Sequence, residues 1–302
     1  MTTTNVQRNH KDGLFLMIFR NKSALLSLYN AIRGSNHTNP DDLTVTTIEN
    51  VLYLGMKNDV SFIINNQLNL YEAQSTWNPN MPLRGLFYFS DVYQGYIAEH
   101  ELNIYGTKRI DLPTPNYIVF YNGAANEPDS RTLRLSDSFI KQDGKEACLE
   151  CIATVLNINF GHNQQLMKAC HELYEYSYLI EQVRIGTRSG LALPDAIDQA
   201  VVHCIEHDIL KSFLLRHRAE VTNMILKEFN LEEHIKSEKA HSFAEGHREG
   251  HREGHIEGQE SERKRFAQLT QCLIDDSRNE DIAKAAIDSE FCLKLYQEYH
   301  IV

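Results

Sequence analysis

No run of the chain approaches the ~20 consecutive apolar residues that a helix needs to cross a bilayer, so no membrane partner is expected. The opening residues, Met1-Thr-Thr-Thr-Asn-Val-Gln-Arg8, hold no apolar core of the kind that marks a secretory signal, and a cytoplasmic protein is expected. Basic charge is also short. The net charge is −11, with −3 on residues 1–190 and −8 on residues 191–302. That balance argues against binding nucleic acid through overall charge and leaves only a local basic groove for the purpose. The six cysteines are scattered, which excludes a disulfide scaffold. Cys148-Leu-Glu-Cys151 is formally a C-x-x-C, with Cys170-His171 downstream, but it lacks the second closely spaced pair that marks a zinc site. These cysteines are read as small apolar residues on helices.

What is present suffices for a full globular core. The chain has 302 residues, 42% apolar and 24% charged, which suggests about two domains. Apolar periodicity predicts a helix over 11–33, and the β-branched residues of 44–54 predict a strand that Gly55 ends. A hairpin is expected over 59–75, a helix over 81–99 and a short apolar strand over 116–121, stopped by Asn122-Gly123. Residues 146–235 read as mostly helical, with breaks at Asn159-Phe-Gly161 and between Gly186 and Pro194. The order helix, strand, strand, strand, helix, strand makes the first half an α/β core. Three segments are expected: residues 1–190 as that core, 191–240 as a helical extension, and 241–302 as a repeat helix with a final helical segment.

The hairpin carries the chemistry. Val60 to Ile64 and Leu68 to Tyr71 flank Asn65-Asn66, a pair suited to the two positive-φ positions of a type I′ turn. With that turn, Ile64 faces Gln67 and Asp59 falls opposite Glu72. Directly opposed Cβ atoms lie about 4.5–5.5 Å apart, where like charges destabilise a sheet. A cation between the two carboxylates would remove the conflict, so the pair is a candidate divalent-metal site. Gln74 shares the face of Glu72. The hairpin is apolar on both faces, Ser61, Ile63, Leu68 and Leu70 on one and Val60, Phe62, Ile64 and Tyr71 on the other, so helices must cover both.

The tail has a different character. Glu245-Gly-His-Arg, Glu249-Gly-His-Arg, Glu253-Gly-His-Ile and Glu257-Gly-Gln-Glu repeat every four residues, which on a helix stacks His247, His251 and His255 at i, i+4, i+8. Paired histidines at that spacing can bind Zn²⁺ or Ni²⁺, but a closed site needs further ligands. An oligomerisation helix is the expected role. Beyond it, Phe266 to Val302 regains apolar periodicity and is expected to pack.

An Asp on one strand and Glu-x-Gln on the next is similar to the metal-binding layout of the PD-(D/E)XK nuclease superfamily. Further co-linear words narrow the resemblance: Lys11-Asp12-Gly, Asp41-Asp42-Leu, Lys57-Asn58-Asp59, Glu72-Ala-Gln-Ser-Thr-Trp-Asn-Pro, Ile118-Val-Phe-Tyr-Asn-Gly123 and Asn157-Ile-Asn-Phe-Gly-His-Asn163. Over residues 10–185 the chain resembles the Rpn-type recombination-promoting nucleases, also described as transposases, whose tails carry similar Glu-Gly repeats. The resemblance implies a PD-(D/E)XK restriction-endonuclease-like core, a central mixed sheet flanked by helices, with a helical C-terminal region.

It also implies Mg²⁺-dependent, or Mn²⁺-dependent, endonucleolytic hydrolysis of DNA linked to recombination or transposition. Asp59 and Glu72 would be metal ligands with the Ala73 carbonyl as a third, and Gln74 would orient water or a phosphate oxygen. Gln74 stands where the superfamily more often has lysine, and an amide brings no positive charge. Rpn-type members usually carry glutamine there, and the general base stays unassigned. Asp12 would be an accessory acid, and Glu49 is a second candidate. Arg84 is read either as a phosphate contact or as half of a structural ion pair. DNA and further copies of the chain, joined through the C-terminal helices, are the expected partners. The competing reading is a catalytically silent interaction protein on the same fold, or an oligomeric adaptor that works through its tail.

Overall fold

The computed structural model describes residues 13–46, 59–140 and 147–301, leaving aside the side chains of Asp59, 232–236, 238–256 and 259. Asp12 and Glu49 lie outside the described residues, as do the side chains of His247, His251 and His255. The chain divides into two compact units, Met1–Glu233 and His234–Val302.

The first unit is α/β. It opens with α1 (Leu14–Phe19) and α2 (Lys22–Arg33). The single helix expected over 11–33 is therefore two. Asn21 makes the break: its Oδ1 accepts from the backbone N–H of Ser23 at 2.9 Å and of Ala24 at 3.2 Å, capping α2. Gly34 then ends α2 in the left-handed region at φ 64°. Next come β1 (Thr44–Val45), β2 (Asp59–Ile64), β3 (Gln67–Gln74), α3 (Met81–Glu99) and β4 (Thr114–Tyr121). The remainder of the strand expected over 44–54 lies mostly outside the described residues.

Two further strands join the sheet, β5 (Ser130–Arg134) and β6 (Ile152–Asn157). The expectation of a mostly helical 146–235 is corrected here. Ile152-Ala-Thr-Val-Leu-Asn157 is a short β-branched run that pairs in parallel with β4, and this tertiary pairing decides its conformation. Cys148 and Cys151 accordingly precede a strand and are not on a helix. Helices follow: α4 (Gln164–Ala169), α5 (His171–Arg188), α6 (Leu193–Glu206) and α7 (Lys211–Asp275), the last with non-helical backbone at His217.

The six strands form one mixed sheet in the order β1-β2-β3-β4-β6-β5. β3, β4 and β6 run parallel, and the other neighbours are antiparallel. Helices cover both faces, as the two-sided apolar pattern requires. Val60, Phe62, Ile64, Tyr71 and Phe120 pack with α1, α2, α5, α6 and the first part of α7. Leu68, Leu70, Tyr117, Val119 and Val155 pack on the opposite face with Met81, Tyr88 and Val92 of α3. Residues 191–233 thus belong to the same core as α1 and α2.

The second unit is helical. The end of α7 packs with α8 (Asn279–Ile287) and α9 (Ser289–Glu298) around Leu269, Leu273, Ala285, Cys292, Leu295 and Tyr296. Among the described residues, no helix is long and apolar enough to cross a membrane.

Candidate functional site

The hairpin forms in the expected register. Asn65 and Asn66 take φ 49° and 57°, as a type I′ turn demands, and side-chain amides tolerate this region better than most residues do. Ile64 pairs with Gln67, and five pairs further along Asp59 stands opposite Glu72. Parallel pairing then sets three strand ends in a row, Gln74 beside Tyr121 and Tyr121 beside Asn157. Open α/β sheets bind their ligands outside the carboxyl ends of parallel strands, and Asp59, Glu72 and Gln74 stand at that edge.

Glu72 is 1% exposed, so its carboxylate depends on protein donors. It has three. The Tyr117 hydroxyl donates to Oε2 at 2.6 Å, and Gln74 Nε2 donates to Oε1 at 2.5 Å. Arg84, from the first turns of α3, forms an ion pair with Oε1. Burial pushes the Glu72 carboxyl above the usual glutamate range, while Arg84, Tyr117 and Gln74 pull it back. Of the two sequence readings of Arg84, the ion pair is the one present. Ala73 sits between Glu72 and Gln74, paired with Phe120.

A second polar cluster lies just beyond the same strand ends. Asn122 donates through Nδ2 to the Tyr176 hydroxyl at 2.5 Å and to Glu228 Oε1 at 3.1 Å. Its backbone N–H reaches the Gln74 carbonyl at 3.0 Å, joining the cluster to β3. Arg184 of α5 donates to the Asn122 carbonyl and to Asn159 Oδ1. Asn159 in turn donates to the Gly123 carbonyl at 3.0 Å and to Asn157 Oδ1 at 2.9 Å. Burial, then the neighbouring Glu228 carboxylate, holds the Tyr176 hydroxyl well above its usual range, so it stays protonated. Asn122 Oδ1 is buried without a hydrogen-bond partner among the described residues. An unpaired buried amide oxygen is costly and uncommon in a folded protein.

The structure thus brings Glu72, Gln74 and Arg84 into contact and puts Asp59 opposite Glu72. Sequence reasoning assigned no role to Tyr117, Asn122, Asn159, Tyr176, Arg184 or Glu228. The asparagines had a visible signal, since Asn122 and Asn157 follow apolar strand runs at the end where ligands bind. Tyr117, Arg184 and Glu228 had none, because the contacts that matter cross the fold. Among the described residues, no three His, Cys, Asp or Glu side chains gather as a metal-binding group. The six cysteines are free, with Cys148 exposed and Cys151 and Cys170 buried.

No protein-family model, curated protein or solved structure matches the chain.

Proposed function

We propose that the chain is a divalent-metal-dependent DNA endonuclease of the PD-(D/E)XK type, similar to the Rpn-type recombination-promoting nucleases. The observation that carries this reading is the register of Asp59 against Glu72 at the carboxyl edge of a mixed sheet. A fold has no structural need to oppose two carboxylates there.

The donor set suits Mg²⁺ or Mn²⁺, which prefer a few carboxylates plus water and phosphate oxygens. Asp59, Glu72 and the Ala73 carbonyl would hold the ion. Bound there, it would activate water and neutralise charge on the phosphoryl group. Tyr117 fixes the angle of the Glu72 carboxylate through its hydrogen bond. Gln74, which is bonded to Glu72, would orient a water or a phosphate oxygen. Oligomerisation through the C-terminal helices belongs to the same proposal.

One observation favours a second reading. Both Glu72 oxygens already have protein partners, Arg84 among them, and a catalytically silent scaffold or oligomeric adaptor would keep such an ion pair for stability. Plasmid nicking separates the two. Full-length protein is expected to nick with Mg²⁺ and to stop with EDTA. The Asp59→Ala variant is expected to fold but not to nick. Equal nicking by wild type and variant sinks the nuclease reading, and no nicking by either favours the adaptor.

A further inference from the structure

Glu72 is almost wholly buried, and its three partners are not equivalent. Tyr117 is a buried member of β4, fixed by the sheet and by the face of α3. Gln74 follows Glu72 by two positions on the same strand, so its reach is set by the pleat. Arg84 differs on both counts. It approaches from another element, α3, and its side chain is 27% exposed. Apart from Glu72, its guanidinium meets only Met81 Sδ among the described residues, at 3.8 Å and a weak acceptor. No second carboxylate holds it among the described residues.

The charge balance gives this difference a meaning. A buried carboxylate without a counter-charge is strongly disfavoured, and in the metal-free fold Arg84 supplies that counter-charge at Glu72. A guanidinium and a divalent ion at Oε1 compete, because like charges within ~4–6 Å disfavour one another. Of the three donors, Arg84 alone carries a charge that competes with a cation, and its partly exposed side chain can leave without disturbing the sheet.

We propose that Arg84 is the resident counter-ion of this centre, and that a divalent cation binds Glu72 by exchange with its guanidinium. The inference rests on the metal-centre reading above. It makes metal binding a competition, so the apparent affinity is lowered by the free energy needed to detach Arg84. It also reconciles the two roles read from the sequence. Arg84 is an ion-pair partner without metal, and once released it is a bidentate donor for a phosphate.

Mn²⁺ binding to full-length protein, followed by electron paramagnetic resonance, tests the exchange without reference to activity. The Arg84→Met variant keeps an apolar stem and loses the competing charge. Its Kd for Mn²⁺ is expected to fall about tenfold or more below that of wild type. Without metal its Tm is expected to be lower than wild type, and saturating Mn²⁺ is expected to close that gap. If wild type binds Mn²⁺ and the variant binds it no more tightly, the exchange is overturned while the metal centre stands. If neither protein binds Mn²⁺, the metal-centre reading fails and the exchange falls with it.

A measurement on the wild type covers the case in which Arg84→Met does not fold. The Arg84 Nε–H resonance, assigned by its absence from Arg84→Lys, is expected to move to the averaged position of a free guanidinium as Mg²⁺ is added. An unmoved resonance in Mg²⁺-bound protein overturns the exchange.

Discussion

The ring of Tyr117 fills the space in which a side chain at position 85 would begin. A Cβ placed on Gly85 would lie 2.5 Å from Tyr117 Cε1 and 2.6 Å from Cδ1. The missing side chain lets α3 settle directly on β4. The residue just before that contact, Arg84, then reaches Glu72, while the same Tyr117 donates to Glu72 from below. One glycine therefore sets the spacing between two of the three groups that hold the buried carboxylate.

Gly85→Ala is expected to destabilise the protein despite the better helix propensity of alanine. Overpacking costs about 1–3 kcal/mol, against a propensity gain of about 1 kcal/mol. A urea midpoint equal to or above that of wild type would show that the helix can shift outward freely, contrary to this account.

Tyr117→Phe removes the donor to Glu72 Oε2 and keeps the ring that packs against α3. Hydrogen bonds to charged groups are worth about 1.5–3 kcal/mol, so a loss in that range is expected in urea unfolding. A loss below 0.5 kcal/mol, about the level of an ordinary surface change, would mean that Arg84 and Gln74 already satisfy the carboxylate.

Thiol chemistry gives the pH prediction. Burial pushes the Cys170 thiol up to about 11 and the Cys204 thiol up to about 12. Both therefore remain neutral at pH 8, and the thiol is the unreactive form. Exposed Cys148 is expected to react with a thiol reagent in native protein, while Cys170 and Cys204 react only after unfolding. The unfolded thiols lose their protons at lower pH than the folded ones. Above the ordinary value near 9 the unfolded state therefore binds fewer protons, and stability falls as pH rises. Cys204→Ala is expected to flatten that fall, measured as urea midpoints between pH 8 and 10.5; an unchanged slope would refute the assignment.

What could be read in advance divides along the range of the interactions. The hairpin was legible because its cause is local: two asparagines that accept positive φ, flanked by strand formers. The register of Asp59 against Glu72 follows from it by counting. α3 and β4 were legible for similar reasons, and the observed α3 runs over the expected 81–99. The break at Asn21 was hidden because the apolar stripe continues across it. β5 was invisible, since Ser-Arg-Thr-Leu-Arg is mostly exposed and lacks an apolar alternation; it is a strand because β6 offers it an edge. Within the site, Glu72 and Gln74 could be linked by strand alternation, whereas Tyr117 reaches Glu72 across 45 positions of sequence.

The tail prediction concerns assembly. Removing residues 245–302 is expected to lower the oligomeric state, measured by light scattering on the remaining chain. The deletion takes away the apolar cluster around Leu269, Leu273 and Leu295 with the glycine-histidine repeat. An unchanged number of protomers per particle would refute the tail as the assembly element.

The two-residue turn at Asn65-Asn66 makes the site sensitive to length far more than to composition. Substitutions along β2 and β3 alter packing by degrees. A single insertion or deletion in the turn acts like a frameshift in space. It would exchange the residues facing α3 with those facing α2, and it would move Asp59 off Glu72 in the same step. Variants of this chain can therefore drift in the letters of the hairpin while keeping its count, and the distance from Asp59 to Glu72 along the chain is the quantity that selection for this site would hold constant.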